Sequence, residues 1–167
     1  MRPGSIGWWA GKVRQTRRHL SARVSPRERA EAAQWLRPAE LEIFDGMHVA
    51  DRRHGLDVVA TLRAEGVSDP EVLVAGLLHD AGKGNTSIGP RMIYSLSAAY
   101  GEWVGRSVAW LPGMAASLTR LRAHAETSAQ MAAAAGCSER TVELIRWQDA
   151  PRDPEAGERL RLADEAN

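Results

Sequence analysis

The 167-residue sequence has one cysteine, one phenylalanine and no long apolar run. The single cysteine, Cys137, excludes an internal disulfide and leaves no CxxC pair for zinc or redox chemistry. No stretch approaches the roughly 20 apolar residues that span a bilayer, and the start of the chain lacks the apolar core of a secretory signal. We therefore expect no membrane span and a reducing, cytoplasmic setting.

Lysine is also scarce, since 20 of the 22 basic residues are arginine and Lys12 and Lys83 are the two lysines. A lysine in a special position is therefore informative. The basic charge is concentrated in residues 1–37, which carry nine Arg or Lys against two Glu, a net of +7 in a chain of net charge +1. Such an arm either attracts nucleic acid or anionic lipid or docks on an acidic body of the same molecule, and we favour docking.

Strand patterns are missing as well, because no stretch alternates β-branched and polar residues, whereas Ala, Leu, Arg and Glu dominate. Capping residues, prolines and glycines mark the helix boundaries. They predict helices over about 26–36, 38–44, 46–65, 70–82, 91–100 and 103–110, one up to about 124, an alanine-rich one up to 136, and two more over 139–148 and from 154 onward. The sequence predicts one all-α bundle over residues 38–167, preceded by a basic helical arm over residues 1–37.

The pair His79-Asp80 follows an apolar run and is predicted to lie at the inner end of a buried helix. A buried ionised carboxylate costs several kcal/mol unless it is paired, so Asp80 there needs a cation or hydrogen-bond donors. An imidazole and a carboxylate suit Zn, Mn or Fe(II) better than Ca or Mg. The alternative is that the pair merely ends the helix, with Asp80 as a cap. The metal interpretation depends on further ligands.

Two further residues are candidates for such ligands. His54 lies in a stripe of apolar residues at helical spacing, so it faces inward. Asp164 follows Leu160 by four residues and shares its helical face. A lone inward histidine is more often a satisfied core residue than a ligand. His54 and Asp164 therefore matter in combination with His79 and Asp80.

The ordered series His54, His79-Asp80 and Asp164 resembles the HD superfamily of metal-dependent phosphohydrolases. Residues 77–83 (LLHDAGK) are similar to that superfamily's LLHDxGK signature, and residues 51–58 (DRRHGLDV) to its first-histidine helix. The resemblance covers roughly residues 46–165. It implies a compact all-α bundle in which His54, His79, Asp80 and Asp164 bind a divalent transition metal (Mn, Fe, Co, Ni or Zn).

Some branches of the superfamily add two histidines that hold a second metal. His124 matches the first of these, but the second falls at about position 148, where this chain has Gln148. A neutral amide binds transition metals poorly compared with imidazole, so one ion is the expectation and a second stays open. His124 is expected as a ligand of that second ion, as a substrate contact or as a residue that starts a helix.

Charged residues beside the ligands are candidates for substrate contacts. Lys83, between two glycines, is expected to bring a point charge to a phosphate, and the glycines to let the backbone approach it; it could also serve the dipole at the helix end. Arg52 or Arg53 is a second candidate for phosphate binding. Asp51 and Asp57 either orient the ring of His54 or pair with arginines, and pairing is our preference for Asp57.

The resemblance implies hydrolysis of a phosphoester, with nucleotides as the expected substrates. In that mechanism water activated by the metal attacks phosphorus, Asp80 orients the water and Lys83 offsets the developing charge. Two alternatives are a degenerate member of the superfamily that binds a nucleotide without hydrolysing it, and a protein that binds nucleic acid through the basic arm.

Overall fold

Helices are the regular elements throughout the part of the chain that the structure describes. The computed structural model describes residues 20–167 together with Gly7, Gly11 and Arg17. The helices in chain order are α1 (Pro26–Ala32), α2 (Pro38–Gly46), α3 (Val49–Ala64), α4 (Pro70–Leu78), α5 (Ile88–Tyr100), α6 (Trp103–Val108), α7 (Met114–Arg122), α8 (His124–Ala134), α9 (Glu139–Arg146) and α10 (Ala156–Ala166), with a 3-10 turn, Ala81–Lys83, after α4. The all-α prediction is confirmed. None of the described helices is long and apolar enough to cross a membrane.

Three of the predicted helix starts carry the expected caps. Ser25 and Glu28 form a capping box at α1, in which the hydroxyl accepts from the Glu28 N–H and the carboxylate accepts from the Ser25 N–H. Asp69 accepts from the backbone at the start of α4, and Ser138 does so at the start of α9. These side chains satisfy backbone N–H groups that have no partner inside the helix.

The predicted helix over residues 46–65 is wrong at its start. Helix α2 continues to Gly46, Met47 is extended, and α3 begins only at Val49. The cap is His48, whose Nδ1 accepts a hydrogen bond of 3.2 Å from the N–H of Ala50. A histidine in this role gives a weaker sequence signal than Ser or Asp, which explains the error.

The boundaries on either side of the His79-Asp80 pair also differ from the prediction. Helix α4 ends at Leu78, and His79 is its C-cap. Asp80 leaves the helical conformation (φ −100°, ψ 3°), and the 3-10 turn ends at Gly84, which has φ +55°. Helix α5 begins at Ile88, three residues before its predicted start at about residue 91. Pro90 lies in its first turn, where a backbone N–H would have no partner within the helix, so the lack of this group in proline costs no hydrogen bond.

Helix α4 lies at the centre of the bundle, and all its residues from Val72 to Leu78 are buried. It contacts α2, α3, α9 and α10. Gly55 of α3 makes the closest approach, because a Cβ there would lie 2.9 Å from the Leu77 carbonyl oxygen. The absence of a side chain at Gly55 therefore lets the helix that carries His54 pack directly on the helix that ends at His79.

The described part of the basic arm is attached to the rest of the molecule. Arg29 of α1 forms an ion pair with Asp45 of α2 at 2.5 Å, and Glu28 pairs with Arg53 of α3. Ala32 and Leu36 belong to the main hydrophobic core. Within residues 20–37 the contacts therefore include an arm arginine on an acidic residue and an arm glutamate on a basic one, and docking of the whole arm on an acidic body stays a prediction. Most of its earlier residues lie outside the described part, and nucleic-acid binding by the arm stays a prediction.

Candidate metal centre

Side chains from three separate helical elements converge at one end of α4. His54 comes from α3, His79 caps α4 and Asp164 comes from α10, and one ligand atom of each lies within 4.8 Å of the others. The two imidazole rings lie 5.3 Å apart between centroids, with an angle of 64° between their planes. Nε2 of His54 is 2.6 Å from Oδ1 of Asp164, and Nε2 of His79 is 3.5 Å from the same oxygen. The structure therefore brings these three predicted ligands together.

The fourth predicted ligand, Asp80, lies directly beside this group. Its side chain is only 2% exposed, and Oδ1 is 3.5 Å from Nε2 of His79. Oδ2 accepts a hydrogen bond of 2.5 Å from the ammonium group of Lys83. Burial raises the pKa of Asp80, but the charges of Lys83 and His79 lower it by more, so that the pKa lies well below its ordinary value. Asp80 is therefore a buried carboxylate anion.

The ring of His79 presents one nitrogen to these carboxylates. Its Nδ1 lies 3.0 Å from the carbonyl oxygen of Gly76, which can only accept, so Nδ1 carries a proton. Nε2 is buried and has no hydrogen-bond partner among the described residues. Burial lowers the pKa of His79, but Asp80 and Asp164 outweigh it and raise the pKa to about 9. The surroundings of Nε2 thus favour positive charge, carried by a proton or by a cation.

The separations around this nitrogen fit a shared ion. Two ligand atoms each about 2.1 Å from one ion, at a tetrahedral angle, lie about 3.4 Å apart. Nε2 of His79 is 3.5 Å from Oδ1 of both Asp80 and Asp164. The shorter contact of 2.6 Å between His54 and Asp164 is a hydrogen bond. The mutually close donors are two imidazoles and the carboxylate of Asp164, with Asp80 beside His79, and donors of these types suit a divalent transition metal.

Asp164 lies near the end of α10, where helices commonly fray, but here the end is held by side-chain contacts. Asn167 donates to the hydroxyl of Thr61 on α3 at 2.9 Å and to the carbonyl of Ala163 at 2.8 Å. Burial raises the pKa of Asp164, whereas the hydrogen bond to His54 and the nearby ring of His79 lower it more strongly. Nothing in the sequence around Asn167 indicated this role.

His124 also lies close to Asp80, at the first position of α8. Its Nδ1 donates to the carbonyl of Leu121 at 2.6 Å, and its Nε2 accepts from the side-chain amide of Gln148 at 3.0 Å. Nε2 is also 3.7 Å from Oδ1 of Asp80. Burial and the charge of Lys83 lower the pKa of His124, which keeps the ring neutral. The nitrogen that would bind a second metal therefore holds the Gln148 hydrogen bond.

Gly82 has a packing role that the sequence interpretation missed. A Cβ at this position would lie 2.3 Å from the carbonyl oxygen of His124 and 2.8 Å from the N–H nitrogen of Ser128. The Gly82 N–H donates to the Ser128 hydroxyl at 2.8 Å. Gly82 thus lets the turn that carries Asp80 and Lys83 pack on the backbone of α8, whereas we expected it to let the backbone approach a substrate.

Arg53, the second predicted phosphate contact, is engaged by carboxylates. Its guanidinium forms ion pairs with Glu28 of α1 and with Asp57, the latter at 2.9 Å. Asp57 therefore pairs with an arginine, as we preferred. Asp51 also pairs with an arginine, through a two-pronged contact with Arg91 of α5 that the sequence did not indicate, because the two residues lie 40 positions apart.

Comparisons with family models, with curated proteins and with solved structures found no match to this chain. The interpretation of the centre therefore rests on its donor atoms and on the residues around them. A buried imidazole nitrogen that no described residue hydrogen-bonds, two carboxylates beside it and an adjacent lysine form an arrangement that can bind a divalent cation and an anionic group next to it.

Proposed function

We propose that this chain is a member of the HD superfamily and a metal-dependent phosphohydrolase that cleaves a phosphoester, with nucleotides as the expected substrates. The observation that carries the proposal is the buried Nε2 of His79, which lacks a hydrogen-bond partner among the described residues and lies 3.5 Å from carboxylate oxygens of Asp80 and Asp164. The LLHDAGK sequence of residues 77–83 supports the same assignment.

His54, His79, Asp80 and Asp164 would hold one divalent transition ion. When bound, such an ion supplies Lewis acidity toward a phosphoryl oxygen and toward water. Lys83 donates one of its N–H groups to Asp80, and its remaining donors can bind a phosphoryl oxygen and offset the negative charge that grows there during phosphoester cleavage. Oδ1 of Asp80 can accept a hydrogen bond from the attacking water and so orient it.

The test is metal analysis of protein purified without chelator, followed by a panel of phosphoesters with added Mn, Fe, Co, Ni or Zn. We expect about one ion per chain and turnover of at least one nucleotide. His79→Ala should lose both. His48→Asn is the matched control, because it replaces a histidine of the same bundle outside the cluster by a residue that also caps helices well.

A folded His79→Ala protein with unchanged metal content and rate would refute the assignment of the centre. Absence of turnover by the wild-type protein across the panel, with metal bound, would refute the hydrolase. That second outcome favours a protein of the same fold that binds a nucleotide without hydrolysing it. The hydrogen bond from Gln148 to His124 supports this alternative, since it removes a nitrogen from the metal-binding groups.

A further inference from the structure

A network of buried polar groups connects the helix of His54 to the segment that follows Lys83. Asp51 on α3 is 3% exposed, and its two carboxylate oxygens accept from Nη1 and Nη2 of Arg91 at 2.6 and 2.7 Å. Nε of Arg91 donates to the carbonyl of Thr86 at 2.8 Å. The planar guanidinium thus joins α3 and α5 to the backbone of this segment through all three of its nitrogens.

The same network continues to the lysine itself. The hydroxyl of Thr86, a residue only 2% exposed, donates to the carbonyl of Lys83 at 2.6 Å. The N–H of Thr86 donates to the carbonyl of Gly84 at 2.8 Å. The ammonium group of the same lysine donates to Oδ2 of Asp80. Hydrogen bonds therefore connect Asp51, through Arg91 and Thr86, to the backbone carbonyl of Lys83, the residue whose ammonium group donates to Asp80.

Folding stability alone does not explain this buried ion pair. Arg91 lies on a different helix from every predicted metal ligand. Its side chain is 15% exposed and that of Asp51 5%, whereas in the other arginine ion pairs of the described residues the arginine is at least 25% exposed. Removing two charged groups from water is costly, and an apolar pair of similar volume would commonly be at least as stable. What the ion pair adds is direction, because a forked guanidinium holds its partners in one plane.

We propose that Arg91 is a positioning residue: with Asp51 and Thr86 it fixes the backbone at Lys83 so that the ammonium group stays on Asp80, at the edge of the metal centre. The inference rests on the proposed function for its purpose, since it concerns where a phosphate-binding lysine is held. Its geometry depends only on contacts within the chain.

The scarcity of lysine makes a direct test possible. Acetic anhydride at low dose acetylates Lys83 and Lys12, and mass spectrometry gives the ratio of the two rates within each preparation. The ratio is compared in wild type, Arg91→Lys, Thr86→Val and Thr86→Ser, at a temperature where circular dichroism shows all four folded. Arg140→Lys is the control, because Arg140 also pairs with two carboxylates, Asp69 and Glu71, but joins α9 to the start of α4.

Arg91→Lys keeps the charge and loses the forked contact, and Thr86→Val loses the hydroxyl at nearly constant shape. We expect each to raise the Lys83 rate relative to Lys12 roughly five-fold or more, because local opening of the segment becomes easier. Thr86→Ser and Arg140→Lys should leave the ratio at the wild-type value. Rescue by serine is a result that a change of general packing would not produce.

An unchanged ratio in folded Arg91→Lys and Thr86→Val overturns the proposal. If Arg91→Lys does not fold, the comparison of Thr86→Val with Thr86→Ser decides alone. The measurement needs neither metal nor substrate. A raised Lys83 to Lys12 ratio in the variants, without phosphohydrolase activity in the wild type, would therefore refute the function and leave the positioning role intact. Activity in the wild type with an unchanged ratio in the variants would refute the positioning role and leave the function intact.

Discussion

The side-chain amide of Gln148 lies 3.0 Å from Nε2 of His124 and donates to it. The other ring nitrogen is engaged by the Leu121 carbonyl, so His124 offers no free nitrogen to an ion. We predict that Gln148→His creates a second site and raises the bound metal from about one to about two ions per chain. Elemental analysis after reconstitution with Mn or Co measures this ratio.

The control for this substitution is the double variant Gln148→His, His124→Ala, which should return to the wild-type ratio. If folded Gln148→His still binds one ion, the amide is not what limits the centre to one metal.

Gly82 and Gly89 form a matched pair for testing the close contact between the 3-10 turn and α8. Gly82→Ala forces a methyl group against the backbone of His124 and should lower the free energy of unfolding by about 1–3 kcal/mol or more. At Gly89 the space is open and the backbone is helical, so Gly89→Ala should be neutral or stabilise by up to about 1 kcal/mol. Urea unfolding measures both, and equal effects would contradict the contact.

Acid should weaken the attachment of α1 to the bundle. The Ser25 N–H, the Arg53 side chain and the Ser25 hydroxyl lower the pKa of Glu28 from 4.5 to about 2. Since the unfolded chain binds this proton at higher pH than the folded protein, the stability that Glu28 provides is present above pH 4.5 and is lost as the pH falls toward about 2.

We therefore predict that Glu28→Gln, although less stable near neutrality, loses less stability than wild type between about pH 5 and about pH 3. Urea unfolding at the two pH values gives the difference. Glu31→Gln removes a carboxylate of the same helix that pairs with Arg27 at the surface, and it serves as the control. A pH dependence in Glu28→Gln equal to that of wild type would show that the Glu28 contacts do not form in solution.

The contact of Asn167 with Thr61 should stabilise the end of α10 and so hold Asp164 in the centre. Asn167→Ala and Thr61→Val should each lower the free energy of unfolding by about 0.5–1.5 kcal/mol, and the double variant should lose less than the sum. Titration with Co should show weaker metal binding in Asn167→Ala. Additive losses with unchanged metal affinity would exclude a role for this contact.

Much of the fold was predictable because its signals are local. Ser25, Asp69 and Ser138 satisfy nearby backbone donors, so a capping residue in the sequence is sufficient to place a helix start. The errors have local causes too. His48 is an uncommon cap. Helix α4 ends with the apolar run at Leu78, before the predicted end at about residue 82, because the chain turns there into the segment that carries Asp80 and Lys83.

By itself, the sequence determined which residue types are available to the centre and that His54 and Asp164 face inward, since helical periodicity depends on neighbours a few positions away. Only the tertiary structure decided how these residues meet. The close approach at Gly55 and Gly82, the Arg91 contact with Asp51 and the Gln148 bond to His124 join residues from different helices. Such contacts depend on how the helices pack in three dimensions, and no local pattern in the chain encodes that packing.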